Sequence, residues 1–430
     1  MTETLNDACA NFLKRLPESR GTAEELARAA GYFGLGAAQL DAAAARLETD
    51  FDCGLRGVRM LLGAFFDEFL RVFRPTLPAF EVTVPAPLGA IMALQEAARG
   101  KYALETGALA AQIGLRALLL DRRPLEFSSC GMRRCGLNRM RERLFRDPPA
   151  QEPAGLLQFG ILCGECAKCG EGLTDRAVTA MLPKASASGG FAREHYFLAS
   201  MERFMEEACR SMGLRPDAAG TARAQQRYGR LCRVERKIAA LAASPDRLPP
   251  GGNTLALAQS AQLMVFDDWE RVLGALETFA EELQNAPPSS GEPRIYAFFV
   301  PFLQPEIDAR FRANGVRLLG NAAFLTETKR VGFSPAEMAA AWAQSLCAAR
   351  DAEGECRAIA AAVRAASASR YLTGMFAFDR WMGAAAPLQR RILREKFGVE
   401  SVVLDADFWC ENAMFGGMDE RVDAICAALN

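Results

Sequence analysis

The sequence predicts an α/β protein: two parallel-sheet domains with helices on both faces, plus helical segments at the N-terminus and in the middle. Three observations predict it. Short apolar runs of strand length recur at Phe80–Val84, Gly155–Leu162, Ile295–Val300, Val316–Leu319, Tyr371–Phe376 and Val399–Leu404. Helical patterns alternate with the last four, which implies a parallel sheet covered by helices. Residues 1–75 and 194–290 carry apolar positions at three-and-four spacing with no strand pattern between them.

The elements follow in order. In residues 1–75, Phe12, Leu16, Leu26, Leu35 and Leu40 sit among alanines, and Cys53–Phe73 repeats apolar residues helically. A strand at Phe80–Val84 ends at Pro85, and Leu88–Arg99 reads as a helix. The apolar run from Gly155 to Leu162 ends at Cys163. Helices are expected at Glu194–Met212, at Thr221–Ala243 and, as one long segment, from Thr254 to Gln284. Ala286–Pro293, rich in Pro and Ser, reads as a linker. Beyond it, helices at Pro305–Asn314, Ser334–Ala366, Ala385–Lys396 and Asp419–Leu429 separate and follow the strands. The expected division is a helical segment at 1–75, a cysteine-rich α/β domain at 76–193, a helical segment at 194–290 and a second α/β domain at 291–430. No repeat of 20–50 residues is visible.

Composition narrows the function. About half of the 430 residues are apolar, enough for a substantial core, and the formal net charge is −1. That balance argues against a nucleic-acid partner. No run of about 18 apolar residues exists to span a membrane. Met1–Arg20 carries Glu3, Asp7, Lys14 and Arg15 without an apolar h-region, so neither a signal peptide nor an anchor is expected, and the expected compartment is the cytoplasm. There, structural disulfides are rare, and 13 cysteines cannot all pair internally. The single histidine, His195, weakens mechanisms needing a histidine base or a multi-histidine metal site. It reads as a helix-start or packed residue ahead of Tyr196–Glu207.

The cysteines carry the chemistry. Cys130 and Cys135 form a C-x4-C pair, and Cys163, Cys166 and Cys169 form C-x2-C-x2-C. Five thiolates within forty residues, at gaps that let neighbours converge, suit an all-sulfur metal centre. The glycines after Cys130, Cys135, Cys163 and Cys169 are expected to permit unusual backbone angles. Arg133, Arg134, Arg139, Arg141, Arg143 and Lys168 are expected to favour the thiolates and offset cluster charge. An iron–sulfur cluster, a [4Fe–4S] centre first among the types, fits best. Structural zinc and a redox dithiol remain open, as does group transfer through Cys163, Cys166 or Cys169 as nucleophile. Cys9, Cys53, Cys209, Cys232, Cys347, Cys356 and Cys426 read instead as small buried hydrophobes. Cys410, with Asp405 and Asp407, follows a strand end, where ligands gather in α/β sheets. Glu165 reads as an exposed loop acid.

At this point the chain resembles the 2-hydroxyacyl-CoA dehydratase D-component family, which includes benzoyl-CoA reductase subunits and double-cubane cluster proteins. The residues that carry the resemblance are Cys163-Gly164-Glu165-Cys166 directly after a strand and the helical order of Phe191–Leu283, with Glu202–Glu207 and Arg227–Leu231. Arg294–Asn430 adds its closing Leu404–Asp407 and Asp419–Ile425. The resemblance implies two α/β domains with a cluster between them, a double-cubane cluster being the larger alternative. It also implies a homo- or heterodimer with a related subunit and an ATP-dependent activator that donates electrons. Low-potential reductase or dehydratase chemistry on a small, acyl-CoA-like substrate, under anaerobic conditions, is implied too. The chain has no G-x-x-x-x-G-K-[ST] motif, so ATP hydrolysis by that route is not expected of it. It departs from the family where a cysteine would follow a C-terminal strand: Tyr371–Asp379 has none. A non-catalytic scaffold subunit with a structural metal is therefore the alternative.

Overall fold

The computed structural model describes residues 2–74, 77–121, 123, 135–160, 170–181, 190–298, 305–320, 352–375, 380–405 and 417–429. Its frame is two four-stranded parallel sheets, as the sequence predicts. The first contains β1 (Ala79–Val82), β2 (Ala103–Glu105), β3 (Gly155–Gly160) and β4 (Ala177–Met181), in the order β2-β1-β3-β4. The second contains β5 (Arg294–Phe298), β6 (Arg317–Leu319), β7 (Arg370–Met375) and β8 (Ser401–Asp405), in the order β6-β5-β7-β8. Both sheets thus share one order, in which the chain's direction across the sheet reverses between the first and third strands. In parallel sheets that reversal opens a crevice at the strands' carboxyl ends.

The N-terminal segment is helical throughout: α1 (Thr2–Lys14), α2 (Ala23–Phe33), α3 (Ala37–Asp50) and α4 (Arg56–Arg71). Thr22 and Glu25 form a reciprocal capping box at the start of α2, and Gly34 closes it in the left-handed conformation. Around the first sheet lie α5 (Leu88–Ala98), α6 (Gly107–Gln112), a π-helical turn at Ile113–Leu118, and α7 (Gly136–Arg146). The middle of the chain forms α8 (Gly190–Met212), α9 (Ala218–Ala243), α10 (Gly252–Ser260) and α11 (Trp269–Gln284). The second sheet carries α12 (Pro305–Ala313), α13 (Ala352–Ala365), α14 (Arg380–Phe397) and α15 (Met418–Ala427).

Two of these elements correct the sequence reading. Thr254–Gln284 is not one helix, because α10 ends at Ser260 and α11 begins only at Trp269. The Asp268 side chain accepts from the Arg271 N–H and starts the second helix. His195 lies inside α8 rather than at its start.

One large core runs through α1–α7, the first sheet and α8–α11, and reaches Ile295, Ala297, Leu372, Leu404 and Val422 on one face of the second sheet. A smaller core of Cys356, Ile359, Val363, Tyr371, Leu393 and Val399 covers the other face. Tyr371 and Leu372, adjacent on β7, point into different cores, as period-two alternation requires. The second sheet therefore has helices on both faces.

Polar clamps tie the parts together. Asp308 of α12 accepts from the Gly252 N–H at 3.0 Å, and Asp52 from Gly251 at 2.7 Å, so carboxylates from two distant elements cap the almost wholly buried α10. Arg294, at the start of β5, donates to the carbonyls of Ser244 and Arg247, both at 2.7 Å, beyond the end of α9. Residues 286–293 run beside the same stretch: Leu248 N–H donates to Pro287 O, and Ser289 N–H to Asp246 O. No helix among the described residues is long and apolar enough to cross a membrane.

Candidate functional site

The first sheet's reversal point lies between β1 and β3. Strand β3 is buried along its whole length. The chain leaves its carboxyl end at Gly160 and returns at Gly170. Cys163, Cys166 and Cys169 belong to that connection and, like Cys130, lie outside the described residues. Cys135 is described. It is half-buried and occupies the N-cap of α7 in extended conformation (φ −62°, ψ 157°).

The position of α7 is over-determined. Gln112, fully buried at the end of α6, donates its side-chain N–H to the Gly136 carbonyl at 2.5 Å, one residue past Cys135. Arg141 is 1% exposed. It donates to the Asn138 side chain at 2.7 Å and stands 3.7 Å from Glu81 of β1. Arg143 lies over the rings of Tyr32 and Phe33, 4.6 and 5.2 Å from their centroids, and donates to the Tyr32 carbonyl. The cysteine-bearing helix is thus bolted to a strand, to α6 and to α2.

Glu81 is the inner anchor. Its carboxylate accepts from the Gly107 N–H at 2.7 Å and the Ala108 N–H at 3.2 Å at the start of α6. Burial pushes its pKa up to about 7, against the pull of Arg141 and the two backbone donors, and with the push of Glu105. This residue was not singled out in the sequence. The only signal was an acid in the middle of an apolar strand pattern.

Among the described residues, Arg141 pairs with Glu81 and Asn138 and Arg143 lies over the α2 aromatics. Arg133, Arg134 and Lys168 lie outside the described residues. One expectation about the cysteine loops needs correction, that of the glycine backbone angles: neither Gly136 nor Gly170 has a positive φ. Gly136 opens α7. Gly170 is needed for close approach, because a Cβ there would come within 2.3 Å of Gln158 Oε1 and Leu156 Cδ2 on β3. The residue after Cys169 therefore seats directly on the strand from which the cysteine segment departs.

Residues 122–426 match the family described as 2-hydroxyglutaryl-CoA dehydratase, D-component. The chain belongs to this D-component family. No curated protein matches it. Membership makes the chain a dehydratase-like subunit, in agreement with the resemblance carried by its cysteine loop, middle helices and closing strand. The D-component match begins after β2, so the family region holds β3 and β4 while the preceding residues supply β1 and β2 of the same sheet.

The remaining cysteines of this D-component chain divide by burial. Cys9, Cys232, Cys356 and Cys426 are buried and Cys53 and Cys209 half-buried, while Cys347 lies outside the described residues. Cys53 sits in the turn between α3 and α4 rather than in a helix. Burial pushes the Cys9 and Cys53 thiols up to about 11, which suits packing rather than reactivity. Asp405 closes β8, and Cys410, Asp407 and Glu165 lie outside the described residues. Among the described residues, no group of three or more His, Cys, Asp or Glu side chains could hold a metal ion.

Proposed function

We propose that this D-component chain is an iron–sulfur redox subunit whose cluster is held by Cys130, Cys135, Cys163, Cys166 and Cys169. In this reading an ATP-dependent activator supplies low-potential electrons to a cytoplasmic dimer with a related subunit or second copy. A small, acyl-CoA-like molecule receives them. One observation carries the proposal. The C-x2-C-x2-C segment belongs to the connection that leaves β3 at the sheet's reversal point, and Cys135 caps a helix fixed to β1 of the same crevice.

The donor set suits such a centre. Cys135 is half-buried at the start of an eleven-residue helix, whose first backbone N–H groups favour a negative partner. Soft thiolates select iron–sulfur clusters or zinc over hard cations. A bound cluster would supply reversible one-electron transfer. The protein's part is positional. Glu81, Arg141 and Gln112 hold the helix that presents Cys135, and Gly170 lets the other cysteine segment end against β3.

The test is anaerobic purification followed by iron and acid-labile sulfide quantification and EPR of the reduced protein. Iron and sulfide in matching amounts, with a signal that grows when activator and ATP are added, is the expected result. A second reading, a scaffold subunit with a structural metal, is favoured by the stretch after β7, where Phe376–Asp379 contains no cysteine. Zinc without iron or sulfide would select it.

A further inference from the structure

The end of α10 and the short segment Ala261–Phe266 that follows it together touch the carboxyl edges of both sheets, the second through Gln259 of α10. At one end Val265 N–H donates to the Thr106 hydroxyl, just beyond β2, at 3.1 Å. At the other, Gly320, just beyond β6, packs so closely on Gln259 that a Cβ would lie 2.5 Å from its Oε1. Between these contacts Gln262, 4% exposed, donates Nε2–H to Glu235 Oε2 of α9 at 3.0 Å; Glu235 itself is 1% exposed.

The other two oxygens of this pair, Glu235 Oε1 and Gln262 Oε1, are buried and have no hydrogen-bond donor among the described residues. Two bare acceptors in one contact are rare in protein interiors. A single proton removes the anomaly: a carboxylic acid and a primary amide can close a ring of two hydrogen bonds. We infer that Glu235 carries its proton in the native protein and that its Oε1–H donates to Gln262 Oε1, locking the seam segment to α9. Burial pushes the acid up to about 8, so the proton is retained at neutral pH.

Apart from burial, only the Gln262 hydrogen bond acts on this acid among the described residues. On the elements packed on α9, Arg271 of α11 pairs with Asp67 and Glu282 accepts from the Arg56 and Gly57 N–H groups. Glu96 of α5 pairs with Arg99, Arg223 and Arg227, and Glu270 and Glu277 of α11 pair with Arg227 and Arg230. When pH rises through about 8 the proton leaves, both Oε1 atoms are left without a donor among the described residues, and the segment that follows α10 loses its hold on α9.

The experiment is hydrogen–deuterium exchange of a peptide covering 259–266 in the full chain at pH 6.5 and 9.5, corrected for intrinsic exchange. Wild-type protection should fall by roughly thirtyfold, the factor by which ionised outnumbers protonated acid about 1.5 pH units above its pKa. Glu235→Gln keeps a neutral two-point pair and should fold normally and keep its protection at both pH values. The inference is overturned if wild-type protection is the same at both, if E235Q loses it equally, or if E235Q does not fold, since a position already neutral must accept a neutral isostere.

Discussion

Arg294 offers the sharpest test of how the second sheet is fastened to the rest. It is 4% exposed, and its guanidinium donates to the carbonyls of Ala243, Ser244, Pro245 and Arg247 and to the Ser289 hydroxyl. Burial lowers its pKa, while Glu292 and Asp246 pull the other way. A guanidinium nonetheless stays protonated in proteins, so it sits as a cation at the carboxyl end of a 26-residue helix, where the helix dipole favours positive charge. Hydrogen bonds to a charged group contribute about 1.5–3 kcal/mol each. Crediting only the two 2.7 Å bonds, Arg294→Leu should cost about 3–6 kcal/mol, a large part of the stability of an ordinary domain. Arg294→Lys keeps the charge but loses the fork, and should fall about midway. Urea unfolding followed by circular dichroism measures both. A loss below about 1 kcal/mol for the leucine variant, at unchanged m-value, would refute the reasoning.

Three further outcomes are expected. Cys135→Ser should lower the iron content of anaerobically purified protein, whereas Cys9→Ser and Cys232→Ser should leave it unchanged; equal losses in all three would remove Cys135 from the ligand set. Gly170→Ala should destabilise by about 1–3 kcal/mol, read from the urea midpoint, because the new methyl meets Gln158 and Leu156 at 2.3 Å. Glu81 keeps its proton in the folded state up to about pH 7 but loses it near 4.5 when unfolded. The native state then binds more protons between those values, so stability falls as pH rises through that window, by about 3 kcal/mol in all. Glu81→Gln should flatten the dependence, which midpoints at pH 5 and 7.5 will show.

What could be read from the sequence, and what could not, follows from the range of each interaction. Strands β1, β3, β5 and β7 are compact apolar runs, and their burial is written in their own residues. Strand β2 has three residues, and β4 is the weakly apolar Ala-Val-Thr-Ala-Met. Both are strands because β1 and β3 offer them a parallel register, an instruction that no local pattern contains. The break between α10 and α11 was hidden for the opposite reason. Leu263–Phe266 continues an apolar pattern, and the turn is enforced by Asp268 and by the Thr106 contact from another element.

The cysteine site divides the same way. Thiols clustered in sequence announce themselves by spacing, so the five proposed ligands could be named at once. The residues that hold Cys135 in place could not: Glu81, Gln112 and Arg141 belong to a strand and two helices, and each resembles an ordinary solvated residue until the fold buries it. The shared strand order adds the last step. The two sheets offer equivalent reversal points, β1/β3 and β5/β7, yet the sequence places the C-x2-C-x2-C cysteines after β3 and leaves Phe376–Asp379 after β7 without a cysteine. Topology alone would assign both crevices the same ligand. It is side-chain chemistry that distinguishes them, so a metal bound by this chain should depend on the cysteines of the first sheet and be indifferent to substitutions at the end of β7.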